Sequence, residues 1–322
     1  MVRISIIGMG LIGASLGMAL HNADEQENPL GQIEVTGYDR DSRVLTEARG
    51  RLAIDKEARS LADAVREAQI VVLATPVCAM RELMAELAPL LAHGAVLTDV
   101  ASTKAQVGQW AAELLPATVS YVGGHPMAGK EQAGVAAADP ELFTGAIYCI
   151  TAAANVRQEA IGAVEALVRA VGAKPYYIDP AEHDAYVAGI SHLPFLLSVG
   201  LVEITGRSPA WQEMSMLAAT GFRDLSRLAS GDPAMHRDIS LTNPVGLSRW
   251  IDEMVAFLLD AREMITQGDA AGIEALLRRT KEQRDTWLGR RSALRPGEDA
   301  FFGETSVERP NLFSFRPSPR RK

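Results

Sequence analysis

The sequence predicts an α/β protein in which a doubly wound parallel sheet is followed by an all-helical domain. An apolar, β-branched run at the N-terminus leads directly into a glycine-rich turn and then a helical pattern. Further short apolar runs alternate with helical patterns as far as residue 178, which is typical of a parallel sheet with helices on both faces. From residue 182 to about residue 288 the pattern is helical throughout.

Length and composition indicate two domains of ordinary globular type. The chain has 322 residues, and domains typically contain about 100–200. We place the α/β domain at residues 1–179, the helical domain at residues 180–290 and a flexible tail at residues 291–322. A net charge of −8 provides no basic field for nucleic acid, so that class of partner is not expected.

The cysteines and one apolar run indicate where in the cell the protein is expected. The two cysteines, Cys78 and Cys149, fit no metal-binding or redox spacing, so no metal site is expected. Reduced thiols and an N-terminus without an export signal predict a cytoplasmic protein. The nearly uncharged run from Tyr186 to Ile204 is about long enough to span a bilayer. Its glycines, proline and histidine favour a buried core helix, with a membrane span as the alternative.

The first turn carries a glycine fingerprint between a strand and a helix. After the strand Val2–Ile7 the chain continues with Gly8, Met9, Gly10, Leu11, Ile12 and Gly13. The first glycine suits the tight turn, the second lets a pyrophosphate approach the backbone, and the third lets the helix pack on the strand. This region is therefore predicted to be a Rossmann-type NAD(P)-binding domain; the alternative is tight packing with no ligand.

A second strand, Ile33–Tyr38, ends at Asp39, where this fold places an acid that bonds the ribose 2′-hydroxyl. The polar loop before the strand explains why the acid lies further from the glycines than usual. A carboxylate repels a 2′-phosphate, so the sequence favours NAD over NADP, although Arg40 and Arg43 nearby could soften that preference. The alternative reading of Asp39 is a turn residue or helix N-cap.

Polar side chains follow three successive strands of the predicted sheet. Thr75 and Pro76 close one strand, Ser102 follows the next, and His125 follows the third. Ligands bind beyond the carboxyl ends of such strands, so Thr75, Ser102 and His125 are predicted to share one crevice. Ser102 and His125 are the catalytic candidates there, and Thr75 and Pro76 are candidates for binding the cofactor. For Ser102 alone, a helix N-cap is an equal alternative. The strands are predicted at Ile70–Ala74, Ala95–Thr98 and Thr118–Val122.

His125 is the candidate general base, because an ordinary histidine, with a pKa of about 6.5, exchanges a proton near neutral pH. Two glycines precede it and Pro126 follows it. This pattern predicts a constrained loop whose backbone can come close to a bound molecule. A loop histidine bonded to backbone is the alternative.

The remaining pattern predicts the end of the sheet and a second subunit. Strands at Ala146–Thr151 and Lys174–Ile178 flank a helix at Arg157–Val171, and Asp179-Pro180 marks the domain boundary. The helical domain has more apolar surface than its size can bury, which predicts a homodimer. An apolar stripe at helical spacing consists of Leu247, Ile251, Met254, Val255, Leu258 and Leu259.

Two parts of the helical domain carry polar groups that suit a small anionic ligand. His192 lies in the apolar helix, where a core histidine is the default reading. Residues 221–227 and 232–238 are rich in arginine and aspartate. Arginine grips a carboxylate through paired hydrogen bonds, whereas surface ion pairs are the default reading. The basic residues of the tail are read as a solvated segment rather than a nucleic-acid contact.

With these motifs the chain resembles the prephenate and arogenate dehydrogenases of tyrosine biosynthesis. The resemblance implies an NAD(P)-binding domain followed by a helical dimerisation domain. It also implies NAD-dependent oxidative decarboxylation of prephenate to 4-hydroxyphenylpyruvate, or of arogenate to tyrosine. The matching segments run from residue 4 to about residue 239: IIGMGLIGASLG, GYDRD, ATPV, TDVASTK, GGHPMAGKEQAG, GISHLPF and GFRDLSRLASGDPAMHRDI.

The resemblance also implies roles for particular residues. His125 matches the histidine that draws the proton from the ring C4 hydroxyl. Ser102 matches the serine beside that histidine, and Arg227 matches the arginine that holds a substrate carboxylate. The remaining substrate-binding candidates are His192, Glu131, Asp224 and Lys130.

The sequence departs from the family at Phe195, His236 and Lys130, where a histidine, a tryptophan and a threonine are common. These departures leave the choice between prephenate and arogenate, and any inhibition by tyrosine, open. Lys104 and Arg223 are expected to add positive charge to the pocket.

Two other classes of protein remain as alternatives: a hydroxyacid dehydrogenase that uses a lysine of its second domain, and a non-catalytic NAD-binding sensor. The helical domain holds a single lysine, which argues against the first.

Overall fold

The computed structural model describes residues 1–23, 28–130 and 132–292, and its core is an eight-stranded sheet. The strands are β1 Val2–Ile7, β2 Ile33–Tyr38, β3 Lys56–Glu57, β4 Ile70–Leu73, β5 Val96–Asp99, β6 Ser120–Pro126, β7 Ile147–Thr151 and β8 Lys174–Tyr177. Their order across the sheet is β3-β2-β1-β4-β5-β6-β7-β8. Adjacent strands are parallel except β6 and β7. The predicted doubly wound sheet is thus confirmed, with one antiparallel pair.

Helices cover both faces of this sheet, which explains why its strands are apolar throughout. In β4, Ile70 and Val72 join the cluster on one face, whereas Val71 and Leu73 join the cluster on the other. Strands that are buried on both faces read as continuous apolar runs. The helices between the strands are α1 Leu11–Asn22, α2 Ser42–Gly50, α3 Leu61–Val65, α4 Val77–Leu87, α5 Ala105–Leu114 and α6 Gln158–Ala170.

The predicted end of the strand before His125 is wrong. β6 continues through His125 to Pro126, because residues 123–126 pair with β7 and place His125 opposite Cys149. The two preceding glycines are therefore part of the sheet, and protein atoms occupy the space beside them. A Cβ on Gly124 would lie 2.5 Å from the backbone oxygen of Asp99. Close packing within the sheet, rather than the approach of a ligand, requires these glycines.

Beyond the sheet the described chain is helical. The helices are α7 Pro180–Val187, α8 Leu193–Gly206, α9 Trp211–Leu217, α10 Thr220–Ser226, α11 Pro233–Thr242, α12 Pro244–Gln267 and α13 Ala270–Ser292, with a π-helical turn at Ala188–His192 and a 3₁₀ helix at Arg227–Ser230. One compact unit spans Met1–Phe257, so it includes the sheet and the helices up to the middle of α12, and a second unit begins at Leu258. The tail predicted at residues 291–322 lies outside the described residues from position 293 onward.

Two carboxylates join the helices to the sheet within the first unit. The Asp184 side chain, in α7, accepts hydrogen bonds from the backbone N–H groups of Lys104 and Ala105 at 2.7 and 2.9 Å. The Asp238 side chain, in α11, accepts one from the backbone N–H of Cys78 at 3.2 Å. Each acid lies at the start of a helix, α5 or α4, where backbone donors have no partner within the helix. These bonds fix where α7 and α11 sit against the sheet.

Part of the helical region stays uncovered in a single chain. The stretch Pro180–Gly206 is long and apolar enough by composition to cross a membrane, and 28% of its most apolar window is buried. The buried core helix predicted at Tyr186–Ile204 is thus only partly covered. In the predicted stripe on α12, Leu247 is buried while Ile251 and Val255 are exposed.

Candidate active site

The glycine loop between β1 and α1 leaves room for a phosphate group. Gly8 has φ +99°, and a Cβ there would lie 2.6 Å from the backbone oxygen of Ala74. A Cβ on Gly13 would lie 2.0 Å from the backbone oxygen of Gly8, whereas one on Gly10 would meet nothing within 4 Å. Gly10 precedes α1, and no side chain caps this helix. Its first N–H groups are therefore available to a pyrophosphate, and the fingerprint residues fit a dinucleotide.

Asp39 lies beside this loop and bonds to it. One carboxylate oxygen accepts from the backbone N–H of Met9 at 2.9 Å, and the other from that of Asp41 at 3.0 Å. The N-cap of α2 is Asp41 rather than Asp39, and the Asp41 carboxylate also holds the guanidinium of Arg43. Arg40 is exposed and lines a cleft of about 810 Å³ together with Asp39. Of Arg40 and Arg43, the two arginines near Asp39, Arg43 is thus paired with the Asp41 carboxylate.

His125 is hydrogen-bonded to a second histidine from the helical region. Its Nδ1 lies 2.9 Å from Nε2 of His183, and Nδ1 of His183 lies 2.8 Å from a carboxylate oxygen of Asp184. Burial lowers the pKa of His125 well below its ordinary value, and the positive charge of Lys104, or of His183 or His192 when protonated, acts in the same direction. The imidazole of His125 is therefore neutral at pH 7, the form that accepts a proton.

Lys104 holds the strand that carries His125. Its ammonium group is fully buried, donates to the Asp99 carboxylate, and donates to the backbone oxygen of Gly124 at 2.6 Å. The Tyr121 hydroxyl donates to the other Asp99 oxygen at 2.6 Å. Lys104, which was expected to add positive charge to the substrate pocket, is thus paired with Asp99 in the interior.

His192 ends the π-helical turn and lies close to the same cluster. Its Nδ1 is 3.4 Å from the side-chain nitrogen of Asn243, which also donates to the backbone oxygen of Asp184 at 2.7 Å. Its Nε2 is buried without a hydrogen-bond partner, and burial lowers the pKa of His192 to about 4. A buried ring nitrogen without a partner calls for an explanation, and a ligand group is one. π-helical turns often occur at functional sites.

The two departures nearest to His192 in the sequence contact each other. The rings of Phe195 and His236 are stacked, with centroids 3.3 Å apart and planes 7° apart. Burial lowers the pKa of His236, so this ring is also neutral at pH 7. The pair forms a flat aromatic wall between α8 and α11.

Ser102 and Thr75 lie where their strands predict, at the carboxyl end of the sheet. Ser102 is half-buried and precedes α5. The N-cap of that helix is Lys104, which rules out the helix-cap reading of Ser102. The Thr75 hydroxyl is buried without a hydrogen-bond partner, and Pro76 is the N-cap of α4. Both side chains remain candidates for ligand contacts.

The charged candidates of the helical region are exposed. Arg227 begins a 3₁₀ helix, which is fixed to α8 by a 2.8 Å hydrogen bond from the Ala229 N–H to the Ser198 hydroxyl. Asp224 pairs with Arg223 at 3.1 Å, as in the ion-pair reading of this segment. The bond to Ser198 places the 3₁₀ helix against α8, the helix that follows His192. Among the described contacts there is none between Arg227 and His125.

The loop after β6 supplied two further candidates. Lys130 forms a 2.8 Å ion pair with Asp139, and the Asp139 N–H donates to the buried Ser15 hydroxyl of α1 at 2.9 Å. Lys130 therefore anchors its loop to the glycine-loop helix. Glu131 lies outside the described residues.

Sequence reasoning missed His183, Asp184 and Asn243. The sequence did contain a local signal for α7. Asp179-Pro180 was read only as a domain boundary, but Asp179 is the N-cap of α7 and Pro180 is its first residue. That signal places His183 and Asp184 in the first turns of a helix. It does not reveal that this helix meets the end of β6, because that contact depends on tertiary packing.

Comparisons with known proteins identify relatives for both parts of the chain. A family model described as "Prephenate dehydrogenase, nucleotide-binding domain" matches residues 28–177, and one described as "Prephenate dehydrogenase, dimerization domain" matches residues 179–279. The prephenate dehydrogenase of Bacillus subtilis is 34% identical over 284 residues, which are 88% of this chain and 75% of the relative. The predicted resemblance is thereby confirmed.

Solved structures give the same result. Prephenate dehydrogenase from A. aeolicus, in complex with hydroxyphenyl propionate and NAD+, has a TM-score of 0.81 and 26% identity, covering 89% of this chain and 98% of that one. Synechocystis arogenate dehydrogenase has a TM-score of 0.75 and 28% identity, covering 89% and 100%. The similarity thus includes both the sheet and the helical region.

Proposed function

Because this chain belongs to the prephenate dehydrogenase family, we propose that it catalyses the NAD-dependent oxidative decarboxylation of prephenate to 4-hydroxyphenylpyruvate. One observation carries the proposal: a half-buried, neutral histidine lies at the carboxyl edge of a sheet whose first helix has an uncapped N-terminus. A base and a dinucleotide site on one edge are what hydride transfer from an alcohol needs.

In the proposed reaction His125 accepts the proton of the ring C4 hydroxyl. Bound NAD supplies the acceptor for the hydride that leaves C4. The bond to the ring carboxylate breaks, carbon dioxide leaves, and the electron pair of that bond makes the ring aromatic as a phenolate, which takes the proton back from His125 to give the phenol of 4-hydroxyphenylpyruvate. Since aromatisation drives the reaction, the protein has to align the substrate and take one proton. A positioned base contributes about 10²–10⁴-fold, and alignment contributes more.

The remaining site residues are proposed to hold the substrate. Ser102 lies at the carboxyl end of the strand next to that of His125 and suits a contact with the reacting hydroxyl. His192 offers an unpartnered ring nitrogen, and Arg227 offers a guanidinium for a carboxylate. Asp224, Lys130 and Glu131 are proposed only to lie near the pocket.

NAD is the proposed cofactor, in preference to NADP. The Asp39 carboxylate accepts a hydrogen bond from the glycine loop, which supports the proposal that it also contacts the adenosine ribose. A second negative charge on the 2′-oxygen would be repelled there. Arg40 is the nearby cation that could reduce the repulsion, since Arg43 is paired with Asp41.

Arogenate is the second candidate substrate. Synechocystis arogenate dehydrogenase has a similar fold and 28% identity to this chain. The two substrates differ only in a side-chain keto or amino group, so a few contacts decide between them. Phe195 and His236, which depart from the family pattern, form one wall close to His192 and are the residues we expect to matter.

The proposed protein is a cytoplasmic homodimer with a division of labour between its domains. Residues 1–179 are proposed to bind the dinucleotide, and residues 180–290 to complete the substrate site and to form the dimer. The family models divide between residues 177 and 179, and the second is described as a dimerization domain. Exposed apolar residues on α8 and α12 provide a surface for the second subunit.

The test is an assay of both substrates with both cofactors, repeated with His125→Asn. We expect NADH formation from prephenate, slower turnover with NADP, and a loss of about 10²–10⁴-fold in kcat for the variant. Asparagine is polar but cannot accept the proton, so the dissociation constant for NAD should not change. A wild-type enzyme that oxidises neither substrate would refute the function, and near-normal turnover by His125→Asn would refute the base.

A further inference from the structure

Two buried side chains, Asp184 and His183, form a hydrogen-bonded chain that ends at the half-buried His125, the proposed base. Asp184 contacts His183, and His183 contacts His125, at 2.8 and 2.9 Å. His183 and Asp184 are 1% and 5% exposed, so water does not compete for these bonds. His125 comes from β6 and the other two residues from α7, so the contact exists only because α7 docks onto the sheet.

The bonding of Asp184 determines which nitrogen of His183 carries a proton. Its carboxylate accepts from the backbone N–H groups of Lys104 and Ala105. Each of its two oxygens receives one of these backbone donors. A carboxylate can only accept hydrogen bonds. Nδ1 of His183 must therefore be the donor in its bond to Asp184.

The proton on His183 in turn determines the tautomer of His125. A neutral imidazole with a proton on Nδ1 has a lone pair on Nε2. Nε2 of His183 therefore accepts, and Nδ1 of His125 donates. The lone pair of His125 is then on Nε2, away from His183 and free to face a ligand.

We propose that His183 is a positioning residue, which together with Asp184 holds His125 in the tautomer whose Nε2 accepts the substrate proton. This inference rests on the proposed function, in which the O–H bond of the substrate breaks and an N–H bond forms at Nε2. The positive charge that develops on His125 remains hydrogen-bonded through His183 to the Asp184 carboxylate. An acid that orients a histidine in this way also stabilises its charged form.

Other groups near His125 have different partners. The Lys104 ammonium binds Asp99 and the backbone oxygen of Gly124, so it fixes the backbone of β6 rather than the ring of His125. Nδ1 of His192 faces Asn243. His183 is the hydrogen-bond partner that the described residues give to the His125 ring.

A pair of substitutions separates positioning from packing. His183→Leu fills the space but cannot accept a hydrogen bond, whereas His183→Gln offers an amide oxygen to Nδ1 of His125. We expect kcat to fall about 10²–10⁴-fold in the leucine variant and roughly tenfold or less in the glutamine variant, with NAD binding unchanged in both. The exposed His93 provides the matched control: His93→Leu should have wild-type kcat.

A second measurement needs no substrate. Nitrogen-15 spectra of histidine-labelled protein, assigned with the variants, report which ring nitrogen carries the proton. We expect a protonated Nδ1 on His125 in the wild type, and loss of that preference in His183→Leu. Three results would overturn the proposal: a protonated Nε2 on His125 in the wild type, wild-type kcat in His183→Leu, or equal losses in both variants. If neither substrate is oxidised, the proposed function fails while the spectra still test the tautomer.

Discussion

His125 and His192 both lie in surroundings that disfavour an imidazolium ion. Burial is the largest cause for each ring, and a protonated His183 would lower the pKa of both rings further. The charge of Asp184 opposes the shift at His192 without overcoming it, and the pKa of that ring is lowered to about 4. Both rings are therefore neutral at pH 7. His125 is therefore in the form that can accept a proton, and His192 is predicted to make the protein less stable in acid.

The buried His192 ring is predicted to reduce the free energy of unfolding at acidic pH. Unfolding exposes the ring and returns its pKa to about 6.5, so the unfolded state binds a proton that the folded state does not. Stability is then lost as the pH falls from about 6.5 towards 4. A shift of this size corresponds to roughly 3 kcal/mol.

Urea unfolding at pH 7 and pH 4.5 measures this loss. His192→Leu removes the titrating group, so its free energy of unfolding should fall less between the two pH values than that of the wild type. His93→Leu, an exposed control, should behave as the wild type does. Equal pH dependence in wild type and His192→Leu would mean that the buried ring does not contribute.

β6 shows at the scale of one element what the sequence can and cannot predict. Apart from β3, which was not predicted, and β6, the strands were predicted to within one residue at each end, because most of them are short apolar runs between turn signals. The end of β6 has two glycines, His125 and Pro126, which are poor strand residues. Pairing with β7 overrides that preference. The π-helical turn before α8 likewise has no local signal that we recognised.

The end of α2 contains a backbone strain that a substitution can remove. Leu52 has φ +59° and follows the C-cap Arg51, a position where glycine is favoured because it has no Cβ. Its side chain is 74% exposed, so removal loses little burial. We expect Leu52→Gly to raise the free energy of unfolding by about 0.5–1 kcal/mol, measured by urea unfolding at pH 7.

Leu52→Ala is the matched control for this prediction. It removes the same exposed side chain but keeps a Cβ in the left-handed conformation, so it should give no gain. If both variants were less stable than the wild type by a similar amount, the Leu52 side chain would be contributing by packing, and strain relief would be the wrong explanation.

For the whole molecule, the sequence predicted the order of the two domains but not how they join. The segment with Asp238 had surface ion pairs as its default reading and Asp184 was not singled out, yet each acid caps a helix of the sheet domain. A carboxylate and the helix start that it caps are far apart in the sequence, so no local pattern links them. The contact between His183 and His125 was not predicted for the same reason. By contrast, the excess of apolar surface was visible in the composition of the helices.

The predicted dimer can be tested on α12. Ile251 and Val255 lie on one side of the helix, at positions i and i+4, and are 37% and 50% exposed. In a dimer this apolar stripe would face the second subunit, where burial contributes about 25 cal/mol per Å². Glutamate at both positions would place two charges in that contact, and an unpaired buried charge costs several kcal/mol.

We therefore expect the double variant Ile251→Glu, Val255→Glu to elute as a monomer, and the wild type as a dimer, when mass is measured by light scattering after size exclusion. Glu253→Lys changes a charge on the opposite side of the helix and should remain dimeric. A dimeric double variant would mean that this stripe is not in the interface. A monomeric wild type would remove the reason for so much exposed apolar surface on α12, and another partner would have to cover it.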